Sequence, residues 1–79
     1  MTIAGYTELD VVVLLRDIAT AGLQAGDIGT LVHIHAPESF EVEFVSATGR
    51  TQALLTLTDS DVRPVREDDL LAVRTVRVP

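Results

Sequence analysis

Residues 28–45 read Ile28-Gly29-Thr30-Leu31-Val32-His33-Ile34-His35-Ala36-Pro37-Glu38-Ser39-Phe40-Glu41-Val42-Glu43-Phe44-Val45, and the fold is decided here. Ile28–His35 and Glu41–Val45 are rich in β-branched and aromatic residues, and a proline-containing turn separates them. Placing Pro37, Glu38 and Ser39 at the tip sets Ala36 opposite Phe40. Ile34 then faces Val42 and Val32 faces Phe44 on one side, while His35 faces Glu41 and His33 faces Glu43 on the other. This register sorts apolar from polar, and a one-residue slip would mix them. A hairpin is expected.

Strand signals continue on both sides. Leu9–Leu15 reads LDVVVLL, too short for a free-standing helix and rich in valine. Arg16–Asp27 is an irregular loop punctuated by Gly22 and Gly26, with Ile18 and Leu23 as apolar pins. Downstream, Ser46–Arg50 is a turn with Gly49 at its positive-φ position. Thr51–Leu57 is a strand with Ala53, Leu55 and Leu57 inward, and Thr58–Asp61 is a tight or single 3₁₀ turn. Val62–Val65 is the last short strand, and Pro64, which has no N–H to donate, confines it to an edge.

Five short strands, a long early loop and a turn before the last strand predict an all-β, five-stranded SH3-like barrel, which limits exposed strand edges. Residues 1–8 form a lead-in, 9–65 the barrel and 66–79 a C-terminal extension. That extension opens with Arg66-Glu67-Asp68-Asp69, then runs apolar from Leu70 to Val78. It reads either as an extra strand or as a short helical turn capped by Asp68.

Composition bounds the function. A domain of 79 residues has room for one core and little else, which argues against a deep catalytic pocket. With no cysteine, disulfides and Cys-based zinc sites are excluded. No apolar stretch approaches the ~20 residues of a membrane helix. Met1–Asp10 lack the features of a signal peptide, so a cytoplasmic location is expected. Twelve acidic residues face six arginines, and lysine is absent, for a net charge of −6. That balance disfavours nucleic acid and favours a basic partner.

Three groups of residues are candidates for a site. If Val12 and Leu14 face the core, then Val11, Val13 and Leu15 present an apolar row to the tail, to a second copy or to another protein. Asp59, Asp61, Asp68 and Asp69, with Glu67, read as an acidic docking patch or as turn chemistry and a solvated hinge, and Arg74 and Arg77 as a small basic counter-patch or as scattered surface charge. His33 and His35 lie two apart on one strand face. With Glu41 and Glu43 they form an alternative: a divalent-metal or small-molecule face, or ordinary cross-strand ion pairs. No nucleophile–base set and no phosphate-binding glycine loop stands out, and no cofactor is expected.

The residues Glu8-Leu9-Asp10, Val12–Leu14, Asp17-Ile18, Gly22-Leu23, Gly26–Thr30, Val32-His33, Phe40–Val45, Leu54–Leu57 and Asp61–Val65 together resemble a small bacterial family known as domain of unknown function 4926. Asp69–Arg74 is similar to an extension some members carry. The resemblance implies no assigned activity. A broader likeness, from Asp10 to Val32, is to the KOW motif of small barrels that bind RNA or protein, from which this chain departs in its acidic balance. The expectation is a non-catalytic protein-interaction module, an accessory or regulatory subunit, of which an antitoxin-like neutraliser of a basic protein is one version. A KOW-like RNA binder is the alternative, and homodimerisation through the first strand or the extension is open.

Overall fold

The computed structural model describes residues 2–3, 5–35 and 37–76. Among them the chain is all-β save for one 3₁₀ turn. A two-stranded ribbon pairs β1 (Thr2–Ile3) with β2 (Tyr6–Thr7). The main sheet holds β3 (Val11–Leu14), β4 (Ile28–His35), β5 (Ser39–Val45), β6 (Thr51–Thr58) and β7 (Val62–Pro64). All five are antiparallel, in the order β6-β5-β4-β3-β7. The expected closed barrel is seen as this single open sheet, because β6 and β7 pair with no described strand on their outer edges.

One core lies on the inner face. Val12 and Leu14 of β3, Leu31 and Ile34 of β4, Phe40, Val42 and Phe44 of β5, Leu57 of β6 and Val62 of β7 are all buried. Tyr6 joins them from the lead-in, its ring centroid 5.4 Å from that of Phe40. Ala53 and Leu55 pack against this cluster, as their alternation along β6 predicts. The early loop closes it further. Ile18 and Leu23 bridge to each other around the 3₁₀ turn Ala19–Ala21, and Leu23 is buried, so both act as pins. Two carboxylates stitch the loop: Asp17 accepts from the Ala25 N–H and Asp27 from the Gln24 N–H, each at 2.8 Å.

The hairpin forms, but not in the expected register. Ser39 lies opposite His35, Phe40 opposite Ile34 and Glu41 opposite His33, a two-residue shift. Ala36 lies outside the described residues. Beyond Val32 a β-bulge moves the register again, setting Leu31 against Val42 and Thr30 against Glu43. The inward residues of β4 are therefore Ile34, Leu31 and Gly29, spaced by three and then two, and not Val32. The bulge inserts one residue and so exchanges the two faces of the strand beyond it.

Gly29 is fixed by this arrangement. A Cβ there would lie 2.5 Å from Val42 Cγ1 and 2.8 Å from Phe44 Cε2, so the aromatic ring occupies the space a side chain would need. Its φ is ordinary. Steric room, not backbone freedom, selects glycine.

Other boundaries differ from expectation. The first strand begins at Val11 rather than Leu9, because Leu9 has φ 74° and breaks the extended run. The Asp10 N–H bonds back to Thr7 O, closing a turn whose left-handed position glycine normally fills. The last strand stops at Pro64 and sits at an edge, where a residue without an N–H is tolerated. Thr58–Asp61 is a turn closed by Asp61 N–H to Thr58 O at 3.0 Å. The extension is neither strand nor helix over residues 66–76. Two arginine–aspartate pairs, described next, set its path instead.

Candidate functional site

The first strand lies inside the sheet, with β4 on one edge and β7 on the other. Only its outer side-chain face is left to a partner. Val13 is only 7% exposed, flanked across the strands by Ile28 and Arg63. Val11, at the start of the strand, and Leu15, just past its end, remain about half exposed. The expected row of three thus presents two apolar groups. Val11 borders a shallow open concavity of about 250 Å³, with Tyr6, Asp10, Pro64 and Val65 among its walls. Leu9, three-quarters exposed and held in its left-handed conformation, lies just before it in the chain.

The aspartates divide into two kinds. Asp61 accepts from Arg16 Nε at 2.8 Å and from the Thr58 N–H at 2.9 Å, which ties the turn to the early loop. Burial works to raise its pKa, but the hydrogen bonds from Arg16 and Thr58 outweigh it and hold the carboxyl below its ordinary value. Asp69 takes a bidentate pair from the Arg63 guanidinium, both contacts at 2.8 Å, and accepts the Arg66 N–H. The Arg63 bonds hold its carboxyl far below the usual carboxylate range. Asp59 and Asp68 are exposed and form no salt bridge with a described residue.

His33 and His35 do share a face, their rings edge-on with centroids 4.6 Å apart. His35 Nε2 is 3.8 Å from Glu41 Oε2. The shifted register sets Glu43 opposite Thr30 rather than His33, and its carboxylate accepts from Thr51 Oγ1 at 2.7 Å. Among the described residues no group of three or more His, Cys, Asp or Glu is arranged to hold a metal ion.

The feature the sequence did not announce is the path of the tail. Arg74, expected as loose surface charge, donates through Nε to Asp27 Oδ1 at 2.7 Å, through Nη2 to Asp27 Oδ2, and to Gly22 O at 2.9 Å. The Arg74 hydrogen bond holds the Asp27 carboxyl below its ordinary value, against an opposing contribution from burial. Arg77 lies outside the described residues. The chain from Asp69 to Arg74 is therefore a strap, fastened to β7 through Arg63 at one end and to the early loop at the other. Between the anchors Leu70, Leu71 and Val73 are 95%, 69% and 100% exposed. The backbone of Leu70–Val73 makes no hydrogen bond to another described residue.

The internal pairs also redistribute charge. Arg16, Arg63 and Arg74 are each bound to an aspartate, whereas Arg50 and Arg66 form no salt bridge with a described residue. The charge left facing solvent is more one-sidedly acidic than composition alone implies.

A family model described as Domain of unknown function (DUF4926) matches residues 8–64, from the turn before β3 to the end of β7. The strap lies beyond the matched residues. No curated protein and no solved structure matches the chain.

Proposed function

The chain belongs to the DUF4926 family, and on that premise we propose that it is a small protein-binding module, an accessory subunit that acts by docking and not by catalysis. The observation that carries this reading is the strap. A segment with three large apolar side chains turned to solvent gains nothing from water, yet two arginine–aspartate anchors hold it in place. Contiguous exposed apolar groups on a small domain mark interaction sites. The open backbone of Leu70–Val73 adds donors and acceptors that an extended partner segment would satisfy by strand addition.

The partner's chemistry follows from the surroundings. Glu67 and Asp68 are exposed just before the strap, so the partner offers an apolar cleft flanked by basic groups. Recruitment of arginines into internal pairs weighs against the RNA-binding alternative, which needs free cations. The strand order, with the last strand returning beside the first, supports reading the sheet as an SH3-like barrel left open between β6 and β7.

The test is co-purification with neighbouring gene products, using the wild-type chain and a Leu70→Ser, Leu71→Ser, Val73→Ser variant. These side chains are already exposed, so the variant should melt with the wild type. One stoichiometric protein retained by the wild type and lost from the variant is the expected result. Equal retention by both proteins overturns the reading.

A further inference from the structure

The two edges of the main sheet are treated differently. β7 has three residues, one of them Pro64, and its Arg63 is committed to Asp69. Short length, proline and charge are the usual devices that keep an edge strand from pairing with another chain. β6 carries none of them. Its eight residues, Thr51-Gln52-Ala53-Leu54-Leu55-Thr56-Leu57-Thr58, include no charge and no proline. It pairs with β5 on one side and with no described strand on the other. A chain of net charge −6 has here an uncharged edge from which like-charge repulsion is locally absent.

We propose that the outer edge of β6 pairs with β6 of a second copy, joining two five-stranded sheets into one across a two-fold axis. A two-fold interface must be self-complementary, and this edge is. In antiparallel pairing, opposed residues share a face, so the axis falls on a residue and not between two. Centred on Leu55, the pairing sets Ala53 opposite Leu57 and Leu54 opposite Thr56. The inward residues Ala53, Leu55 and Leu57 then meet their own kind, and the two cores become continuous. Leu54, 53% exposed, gains an apolar neighbour surface from the partner strand.

The flanks supply the orientation. Immediately before β6 stands Arg50, exposed and in no salt bridge with a described residue; immediately after it stands Asp59, equally exposed and free of such a bridge. Antiparallel pairing about Leu55 runs Arg50 of each copy toward Asp59 of the other, forming two opposite-charge pairs at the ends of the seam. A parallel arrangement would bring like charges together at both ends. The bulge at Gln52, where β6 has one residue more than β5, lies outside the five-residue centre of this pairing.

The experiment is sedimentation equilibrium on the full chain, with amide hydrogen exchange over Ala53–Leu57. The wild type should dimerise, and exchange at Ala53–Leu57 should slow as concentration rises. Arg50→Asp and Asp59→Arg each replace two attractive pairs by two repulsive ones, and each should weaken the dimer on the order of tenfold at low salt. The double variant, Arg50→Asp with Asp59→Arg, should recover wild-type association. Circular dichroism should be unchanged throughout, since both residues are exposed. A wild type that stays monomeric at about 1 mM overturns the proposal, as does a dimer indifferent to both single reversals. Protection of Ala53–Leu57 that arises only with a foreign protein bound also overturns it. The strap variant should leave this dimer intact, so the two proposals fail independently.

Discussion

Replacing Gly29 by alanine tests the hairpin at its least forgiving point. The added methyl would stand 2.5 Å from Val42 Cγ1 and 2.8 Å from Phe44 Cε2, and those residues are 0% and 3% exposed. Neither neighbour has open solvent to move into. Overfilling a packed core costs about 1–3 kcal/mol. Alanine also restricts the unfolded chain, which returns about 0.4–1 kcal/mol where the backbone is compatible, as it is here. The net expectation is a loss of about 1–2 kcal/mol, or roughly 5–15 °C in melting temperature for a domain of this size. Urea and thermal denaturation followed by circular dichroism would measure it. Adding Phe44→Leu removes the ring edge in the way, so the double variant should lose less than the sum of the two single losses. A Gly29→Ala protein as stable as the wild type would refute the bulge at Val32, since that bulge is what turns Gly29 toward Phe44.

Two further perturbations address strain and titration. Leu9→Gly should stabilise the protein by about 0.5–1 kcal/mol, because a left-handed non-glycine residue costs about 1–2 kcal/mol and glycine's greater unfolded-state freedom takes back only part. The denaturation midpoint is the readout, and a decrease would contradict the turn at Thr7–Asp10. Stability should also fall at both ends of the pH scale. The Asp27, Asp61 and Asp69 carboxyls are held below their unfolded value of about 3.9, so their contribution is complete above it and disappears as acid protonates them. Burial, with Asp59 and Asp10 nearby, raises the Tyr6 phenol, so its contribution is complete below about pH 10 and is lost above. Urea midpoints should therefore be flat from about pH 5 to 9 and decline outside that window.

The five strands of the main sheet were legible because each carries its own local signal. β-branched runs, Gly49 at a positive φ of 84° and Pro64 at an edge all follow from chemistry within a few residues. The hairpin register was not. Side chains in a strand repeat every two residues, so alternation excludes a one-residue slip and is blind to a two-residue one. The bulge at Val32 hides for a related reason. It exchanges the faces midway, so that Leu31 and Gly29, rather than Val32, meet the core.

The site was the least legible part. Arg74 and Asp27 are 47 residues apart, and Arg16 and Asp61 are 45 apart, so no window of sequence contains either pair. The tail's valines and leucines read as a strand by composition, but over residues 66–76 it pairs with no described strand and follows its two arginine–aspartate anchors. Tyr6 carries no sequence signal, because a lone aromatic in an eight-residue lead-in has no periodicity to mark it.

The place of β3 between β4 and β7 bears on how the molecule assembles. Residues 28–58 form a meander whose neighbours are joined by short connections, so it can zip up from local contacts. The ladder that sets Val12 against Pro64 must instead gather segments some fifty residues apart, and its closing entropy falls due late. β7, whose ladder runs to β3 alone among the described strands, therefore joins the folded body only once β3 has docked on β4, and an unfolding fluctuation that frees β3 releases β7 with it.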